Sequence, residues 1–389
     1  MANKLEDLKF GVNKNGIQTF FNATKKIGGF NYRLIPRALK GFTRALVFKK
    51  STLKIIELLV THKCQLSCSW CSVINHERKH HMELTVEEIR QIAQRSKQIG
   101  NIAFNIYGGE PLIRKDLEDI IQAINPKDFI ISMVSNGLLM TKDRLKSLHK
   151  AGCKHFAFSF ESLDPTEENK LFGAPSHYEK VMEVIEWGKE LDIEIGLLSL
   201  FEPGHIDRFE EVVKYALKRD ILVGINELTY TSATAKSNSP LLSMEDNIYL
   251  RENILKKYPN VRTDWSLTYF LKPMCPAGKE KINIDPYGNV IPCLQIPIHF
   301  GNVREEDLSV IWRRMGRFSK FKNHYPGCLA ADDKDYHENY VDPIIEMEVE
   351  PLFYRDHPTI QKELPTMDLE DEKYGCNVDG KSNCATCSS

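Results

Sequence analysis

The chain has 389 residues, 42% of them hydrophobic, with 52 Lys and Arg against 53 Asp and Glu and a formal net charge of −1. That length allows two or three domains with ample core, and the balanced charge carries no general affinity for nucleic acid. No apolar run approaches the ~20 residues of a membrane-spanning helix, and the N-terminus lacks a secretory apolar segment; the ten cysteines therefore read as metal or redox groups in a reducing, cytoplasmic setting.

Residues 1–52 form a basic amphipathic arm, in which Lys25, Lys26, Arg33, Arg37, Lys40, Arg44, Lys49 and Lys50 alternate with Phe20, Phe21, Phe30, Leu34, Leu39, Phe42, Leu46 and Phe48. Such a segment suits either peripheral contact with an anionic membrane or docking on the chain's own body, for instance on its acidic tail. From 53 to 260 the pattern alternates. Short apolar, β-branched runs predict strands at 54–61, 102–107, 129–135, 155–161, 194–200 and 221–228, with amphipathic helical stretches between them. Thr85 and Glu88 form a capping box that opens one helix, and Ser176 with Glu179 is expected to open another through Trp187. Six strand–helix units with right-handed crossovers give a parallel sheet with helices outside.

The first strand runs into Thr61-His-Lys-Cys-Gln-Leu-Ser-Cys-Ser-Trp-Cys71. Three residues separate Cys64 from Cys68 and two separate Cys68 from Cys71. Three thiolates can hold three corners of a [4Fe–4S] cubane and leave its fourth iron open to a chelating small molecule. The same thiols could instead join His62, His76, His80 or His81 around zinc, although zinc sites usually bring a second knuckle and none lies nearby. The second strand ends in Tyr107-Gly108-Gly109-Glu110-Pro111, where two glycines let a backbone approach a ligand and a carboxylate comes next. The third ends in Ser135-Asn136-Gly137, and the fourth carries Ser159, Glu161 and Ser162. On the sixth, Asn226, Glu227 and Tyr230 are candidates to face substrate.

The Cys loop with aromatic Trp70, followed by the Gly-Gly-Glu-Pro segment about 40 residues on, resembles the radical S-adenosylmethionine (radical SAM) superfamily. The resemblance implies an α/β fold, a partial (β/α)6 TIM-like barrel. It implies that Cys64, Cys68 and Cys71 hold a [4Fe–4S] cluster and that Gly108, Gly109, Glu110 and Pro111 bind the methionyl amine of SAM. Ser135, Asn136, Ser159 and Glu161 would contact the rest of SAM, the fourth-strand groups its ribose. Ser159-Phe-Glu161-Ser162 departs from the usual Ser-x-Asp-Gly there. The open iron would chelate SAM, and a flavodoxin- or ferredoxin-like donor would supply one electron. The C–S bond would break to give methionine and a 5′-deoxyadenosyl radical, which takes a hydrogen atom from substrate.

Beyond residue 270 the pattern changes. Cys275 is followed by a hairpin signal around Pro286-Tyr-Gly-Asn289 and then by Cys293, an amphipathic stretch at 308–321 and Cys328. This resembles the SPASM and Twitch extensions, so a cluster-binding subdomain with a second, auxiliary [4Fe–4S] cluster is expected at 270–330. An acidic cysteine-containing tail covers 331–389. With Cys153 read as an ordinary apolar residue, six cysteines remain for the auxiliary site: Cys275, Cys293, Cys328, Cys376, Cys384 and Cys387. Six thiolates complete one cubane and not two. Ala331 stands where the family often has a further cysteine, so a tail thiol completes the site or the fourth corner stays open. Cys384-Ala-Thr-Cys387 has the spacing of a metal ligand pair, for a cluster or for a zinc knuckle.

The leading functional expectation is oxidation or rearrangement of a small molecule, such as a sugar, an alcohol or a lipid headgroup. The alternatives are a peptide- or protein-modifying maturase and a non-enzymatic iron–sulfur or zinc scaffold. The short basic arm offers no evident leader-binding domain, which weighs against the maturase.

Overall fold

A computed structural model describes residues 31–73, 82–236, 240–264, 268–271, 273–322 and 325–365. All six expected strands are present: β1 (Ile55–Leu59), β2 (Ala103–Tyr107), β3 (Ile130–Ser135), β4 (His155–Ser159), β5 (Glu194–Phe201) and β6 (Val223–Glu227). They pair in sequence order and in parallel. Helices cross over between them, so the exits of all six strands lie at one end of the sheet.

The sheet does not stop at six. Among the described residues it has nine strands, in the order β7-β6-β5-β4-β3-β2-β1-β8-β9. Strand β7 (Val261–Arg262) extends the far edge. Strand β8 (Lys281–Ile284), from the hairpin beyond residue 270, pairs in parallel with β1, and β9 (Val290–Ile291) turns back against β8. Gly288, with φ of 93°, makes that turn possible. Asp285 fixes it by accepting from the Tyr287 and Asn289 amides at 2.8 and 2.9 Å. The cluster-binding region therefore shares the barrel's sheet.

The helix of the basic arm, α1 (Ile35–Leu46), docks on the chain's own body. Gly41 lies against the Tyr269 ring, where a Cβ would meet Cζ at 2.5 Å. Arg37 donates to the carbonyls of Asn101 and Asp128 and lies 4.8 Å from the centre of the Phe129 ring. Its outer face leaves Leu39, Leu46, Val47 and Phe48 exposed. Residues 1–30 and the tail from 366 lie outside the described residues.

The capping box at Thr85 forms as expected at the start of α2 (Val86–Ser96). The one expected at Ser176 does not. The helix α3 (His177–Leu191) starts there, but the Ser176 side chain makes no cap. Asn169 of the preceding helix supplies it instead, accepting from the Tyr178 amide at 2.9 Å and donating to Glu179 at 3.4 Å. Cys153 is fully buried in the apolar core, as expected.

Candidate active site

The exits of β1 and β2 stay zipped beyond the strands. The Gly109 amide donates to the Thr61 carbonyl at 2.7 Å, and the Glu110 amide to the Lys63 carbonyl at 2.8 Å. The glycines are needed for this contact. A Cβ on Gly108 would sit 2.5 Å from the Thr61 oxygen, and one on Gly109 would sit 2.6 Å from the His62 oxygen. They thus lie close to the backbone that launches the Cys loop. Pro111 opens the short turn Pro111–Ile113 at this exit.

Glu110 is fully buried. Its Oε1 accepts from the Leu112 amide at 2.9 Å and the Ser135 hydroxyl at 2.8 Å, and its Oε2 accepts from the Asn136 amide at 2.8 Å. A carboxylate offers about four acceptor sites, so one remains for a further donor. Burial pushes the carboxyl up to about 7, against the pull of those bonds. Asn136 also reaches the Cys loop: its Nδ2 donates to the Cys64 Sγ at 3.8 Å, and its Oδ1 accepts from Gln65 at 2.9 Å.

Cys64 is exposed, while Cys68 and Cys71 are half-buried. Burial pushes Cys68 up to about 12, with the charges of Cys71, Cys64 and Glu161 adding to it. Cys64 is raised by burial, and by Glu110 and Cys71. Three thiols and two buried carboxyls therefore gather at one end of the barrel, and their charges make Cys64 and Cys68 harder to ionise. A metal centre relieves that conflict by replacing the thiol protons. The thiols are not drawn in to the spacing of ligands to a single ion. A cubane places each thiolate on a different iron, so the donor set fits one.

At the end of β4, Ser159 is half-buried and Glu161 is buried. The Glu161 carboxylate turns to β5, accepting from the Ser199 hydroxyl at 3.1 Å and the Leu200 amide at 2.6 Å. Burial pushes it up to about 8. The amides of Glu161 and Ser162 donate to Glu168 at 2.9 and 2.7 Å. Behind this end of β4 lies a buried pair that sequence reasoning missed. Glu168 meets His177 Nδ1 at 2.9 Å with both side chains fully buried, the His177 ring stacks on Phe172 at 3.7 Å, and Phe172 meets Trp70 edge-on at 5.7 Å. Trp70 thereby links the Cys loop to the β4 exit. Only the aromatic before Cys71 was visible in sequence.

The second site gathers Cys275, Cys293 and Cys328. The Cys275 amide donates to the Tyr325 carbonyl at 2.8 Å, Cys293 pairs with Ile296 just after β9, and Cys328 begins the turn Leu329–Asp332. Burial raises all three thiols, Cys293 to about 11. The charges of Glu227, Cys275, Asp332 and Cys293 also act on Cys328, so the three thiols share one field. The charges of the same three cysteines act on the Tyr336 hydroxyl, which has no hydrogen-bond partner among the described residues. Three half-buried thiols beside an orphaned donor fit an iron–sulfur cluster. Cys376, Cys384 and Cys387 lie outside the described residues.

Two of the β6 candidates turn to this second site. The charge of Glu227 acts on Cys328, and the Tyr230 hydroxyl donates to Asp342 at 2.6 Å. Tyr230 is therefore committed to packing between segments. Asn226 is exposed and lines a cavity of about 270 Å³ within the barrel, together with Glu57, Asn105, Tyr107, Ser132 and His155.

Family comparisons agree with both sites. The profile described as "Radical SAM superfamily" matches residues 58–235, and that of an "Iron-sulfur cluster-binding domain", SPASM, matches 275–335. The PqqA peptide cyclase of Rhizobium meliloti is 24% identical over 278 residues, 68% of this chain and 74% of that protein. The GTP 3′,8-cyclase of Aquifex aeolicus is 34% identical over 157 residues, 39% of this chain and 49% of that one. Among solved structures, Streptococcus suis SuiB bound to precursor peptide SuiA superposes with a TM-score of 0.54 at 18% identity, over 67% of this chain and 65% of that one. Native anSMEcpe with bound AdoMet gives 0.52 at 15%, over 82% and 99%. At these identities the structures speak for the fold.

The comparisons correct the expected substrate. Sugars, alcohols and lipid headgroups gave way when the likeness spanning most of the chain proved to be to a peptide cyclase, and a structure of the same fold carries a precursor peptide. The scaffold alternative falls with the match to an enzyme superfamily. No helix among the described residues is long and apolar enough to cross a membrane. The chain belongs to the radical SAM superfamily and carries a C-terminal SPASM domain, and it works with [4Fe–4S] clusters and SAM.

Proposed function

We propose that this chain modifies a peptide. The observation that carries the reading is extent: likeness to the PqqA peptide cyclase runs over 278 residues, well beyond the barrel match at 58–235. When bound, the first cluster and SAM supply a 5′-deoxyadenosyl radical that takes a hydrogen atom from substrate. In this reading Cys64, Cys68 and Cys71 hold the cluster. Glu110 keeps its last acceptor site for the SAM ammonium while bracing Ser135 and Asn136. Ser159 and Glu161 line the ribose side. Cys275, Cys293 and Cys328 hold the auxiliary cluster, with Cys376, Cys384 or Cys387 to complete it, and that cluster takes an electron from the substrate. The net reaction is then an oxidation, with a flavodoxin- or ferredoxin-like protein as electron donor to the first cluster.

The test is anaerobic reconstitution to about eight iron per chain, followed by SAM, dithionite and the short peptides encoded beside the gene. The expected result is a peptide of changed mass with matching 5′-deoxyadenosine. Changing Cys64, Cys68 and Cys71 to Ala should leave about four iron and abolish both products. If no such peptide changes mass while SAM is still cleaved, the peptide reading is wrong and the radical chemistry stands.

A further inference from the structure

Tyr336 is a buried polar group on which the charges of the second set of thiols act. Its side chain is fully buried. The ring is held by Tyr340, stacked at 5.7 Å and 12°, and its amide donates to Asp333 at 3.1 Å. The residue comes eight positions after Cys328, at the end of the short helix Lys334–Tyr336. Its hydroxyl, however, meets no acceptor among the described residues. Nearly all buried hydroxyls are hydrogen-bonded, so an orphan asks what is missing from its surroundings. The charged groups that act on it are, in order, Cys293, Cys275, Cys328 and Asp333, whose carboxylate already accepts from the Tyr336 amide.

We propose that the Tyr336 hydroxyl donates a hydrogen bond to a sulfur of the auxiliary cluster, either a cysteine thiolate or a cluster sulfide, and thereby sets that cluster's reduction potential. The inference rests on Cys275, Cys293 and Cys328 holding the cluster. The chemistry suits the partner. A phenol is a donor that swings on one torsion, and a thiolate or sulfide is an anionic acceptor able to satisfy it. Full burial disfavours the phenolate, so the group keeps its hydrogen to donate. A hydrogen bond to a cluster sulfur draws negative charge from the irons and favours the reduced state. A cluster that takes an electron from a substrate radical benefits from that bias. Tyr336 is a positioning and tuning residue here; it touches no substrate.

The test is Tyr336→Phe in the full chain after anaerobic reconstitution. Phe keeps the stack on Tyr340 and removes only the oxygen. The expected result is unchanged iron, unchanged uncoupled SAM cleavage, and an auxiliary cluster that is harder to reduce. At a fixed poise the oxidised-to-reduced ratio should rise about tenfold, equivalent to about 59 mV for one electron. Electron–nuclear double resonance on the wild type should show an exchangeable proton coupled to the reduced auxiliary cluster, lost in deuterium oxide and absent from Tyr336→Phe. Tyr340→Phe is the control. Its hydroxyl donates to Glu363 at 2.8 Å, so the potential should not move. An unchanged potential in Tyr336→Phe, or a wild type without the exchangeable proton, overturns the proposal. Loss of auxiliary iron in the variant also overturns it, since the oxygen would then be a ligand. The wild type is measured first. If it holds only about four iron, the assignment of the three cysteines fails, and the proposal with it.

Discussion

At the scale of single residues, the site is built from buried polar groups whose partners come from other strands. Glu110 is the clearest. Its three donors belong to its own turn and to the end of β3, so removing the carboxylate leaves buried N–H and O–H groups without an acceptor. Such losses cost about 1–3 kcal/mol each. Glu110→Ala should therefore keep the first cluster's iron but weaken SAM binding by about one to two orders of magnitude, read by equilibrium titration. Unchanged affinity would mean that the turn is held by its backbone alone. His155 gives a different prediction. It lies in the barrel, its Nδ1 has no partner among the described residues, and burial pulls its pKa down from 6.5 to about 4. The native state keeps it neutral while the unfolded chain protonates it, so the unfolded chain binds more protons between pH 4 and 6.5. The neutral ring's contribution is complete above the unfolded pKa and is lost as pH falls through that window, by roughly 3 kcal/mol. In His155→Gln, urea midpoints of the cluster-free protein should fall less steeply with acid. An equally steep acid limb would assign the loss to other groups. The loop of Cys64, Cys68 and Cys71 was legible because three thiols at that spacing have few other uses. Glu168 and His177 were not, because a buried contact between two helices leaves no local pattern.

At the scale of elements, apolar periodicity located all six barrel strands to within two residues of their ends, and the C-terminal ends carry the loops that matter. What sequence did not show was the protein neighbour of the small residues. Gly108 and Gly109 read as room for a ligand, and they also let the β2 exit lie against the β1 exit. A glycine pattern records close approach without naming the neighbour. Gly109→Ala tests the element. The added methyl would press on the His62 and Lys63 carbonyls, which are backbone and cannot swing away. Overpacking of this kind costs about 1–3 kcal/mol and must be relieved by shifting the Cys loop. SAM cleavage should fall by about tenfold or more, with lower iron at the first cluster and an unchanged circular dichroism spectrum. Wild-type cleavage in this variant would show that the two exits are not rigidly coupled. The missed cap at Ser176 has a similar origin: the serine and glutamate are correctly spaced, but Asn169 is better placed to serve the helix start.

At the scale of the whole molecule, the SPASM-matched region and the barrel are joined by backbone and by charge. Strand β8 pairs with β1, and Glu57 of β1 is buried between Lys281 at 3.4 Å and Asn283 at 2.7 Å, both from β8. Arg304, beyond the hairpin, meets the Glu88 carboxylate and the Met82 carbonyl at 3.0 Å, so it ties the second region to the helix after the Cys loop. None of this was legible in sequence. The pairing joins residues 226 positions apart, and the run KINI reads only as one arm of a hairpin. Lys281 also pairs with Asp264, so one ammonium serves two carboxylates where strand meets strand. Removing one partner of a buried pair leaves an uncompensated charge, whereas removing both can be nearly neutral. Burial already pushes the Glu57 carboxyl up, with Lys281 opposing it, so without the lysine the acid must be protonated or exposed. Lys281→Met should thus destabilise the chain by about 3–5 kcal/mol and lower the iron content of both sites, because the β1 end carries the first Cys loop and β8 leads to Cys293. Lys281→Met with Glu57→Leu should recover most of that stability. Denaturant midpoints of Lys281→Met, Glu57→Leu and the double variant decide it. A double variant that loses as much as the sum of the single changes would show that the ion pair does not couple the two regions, and that the β1–β8 backbone ladder holds them together alone.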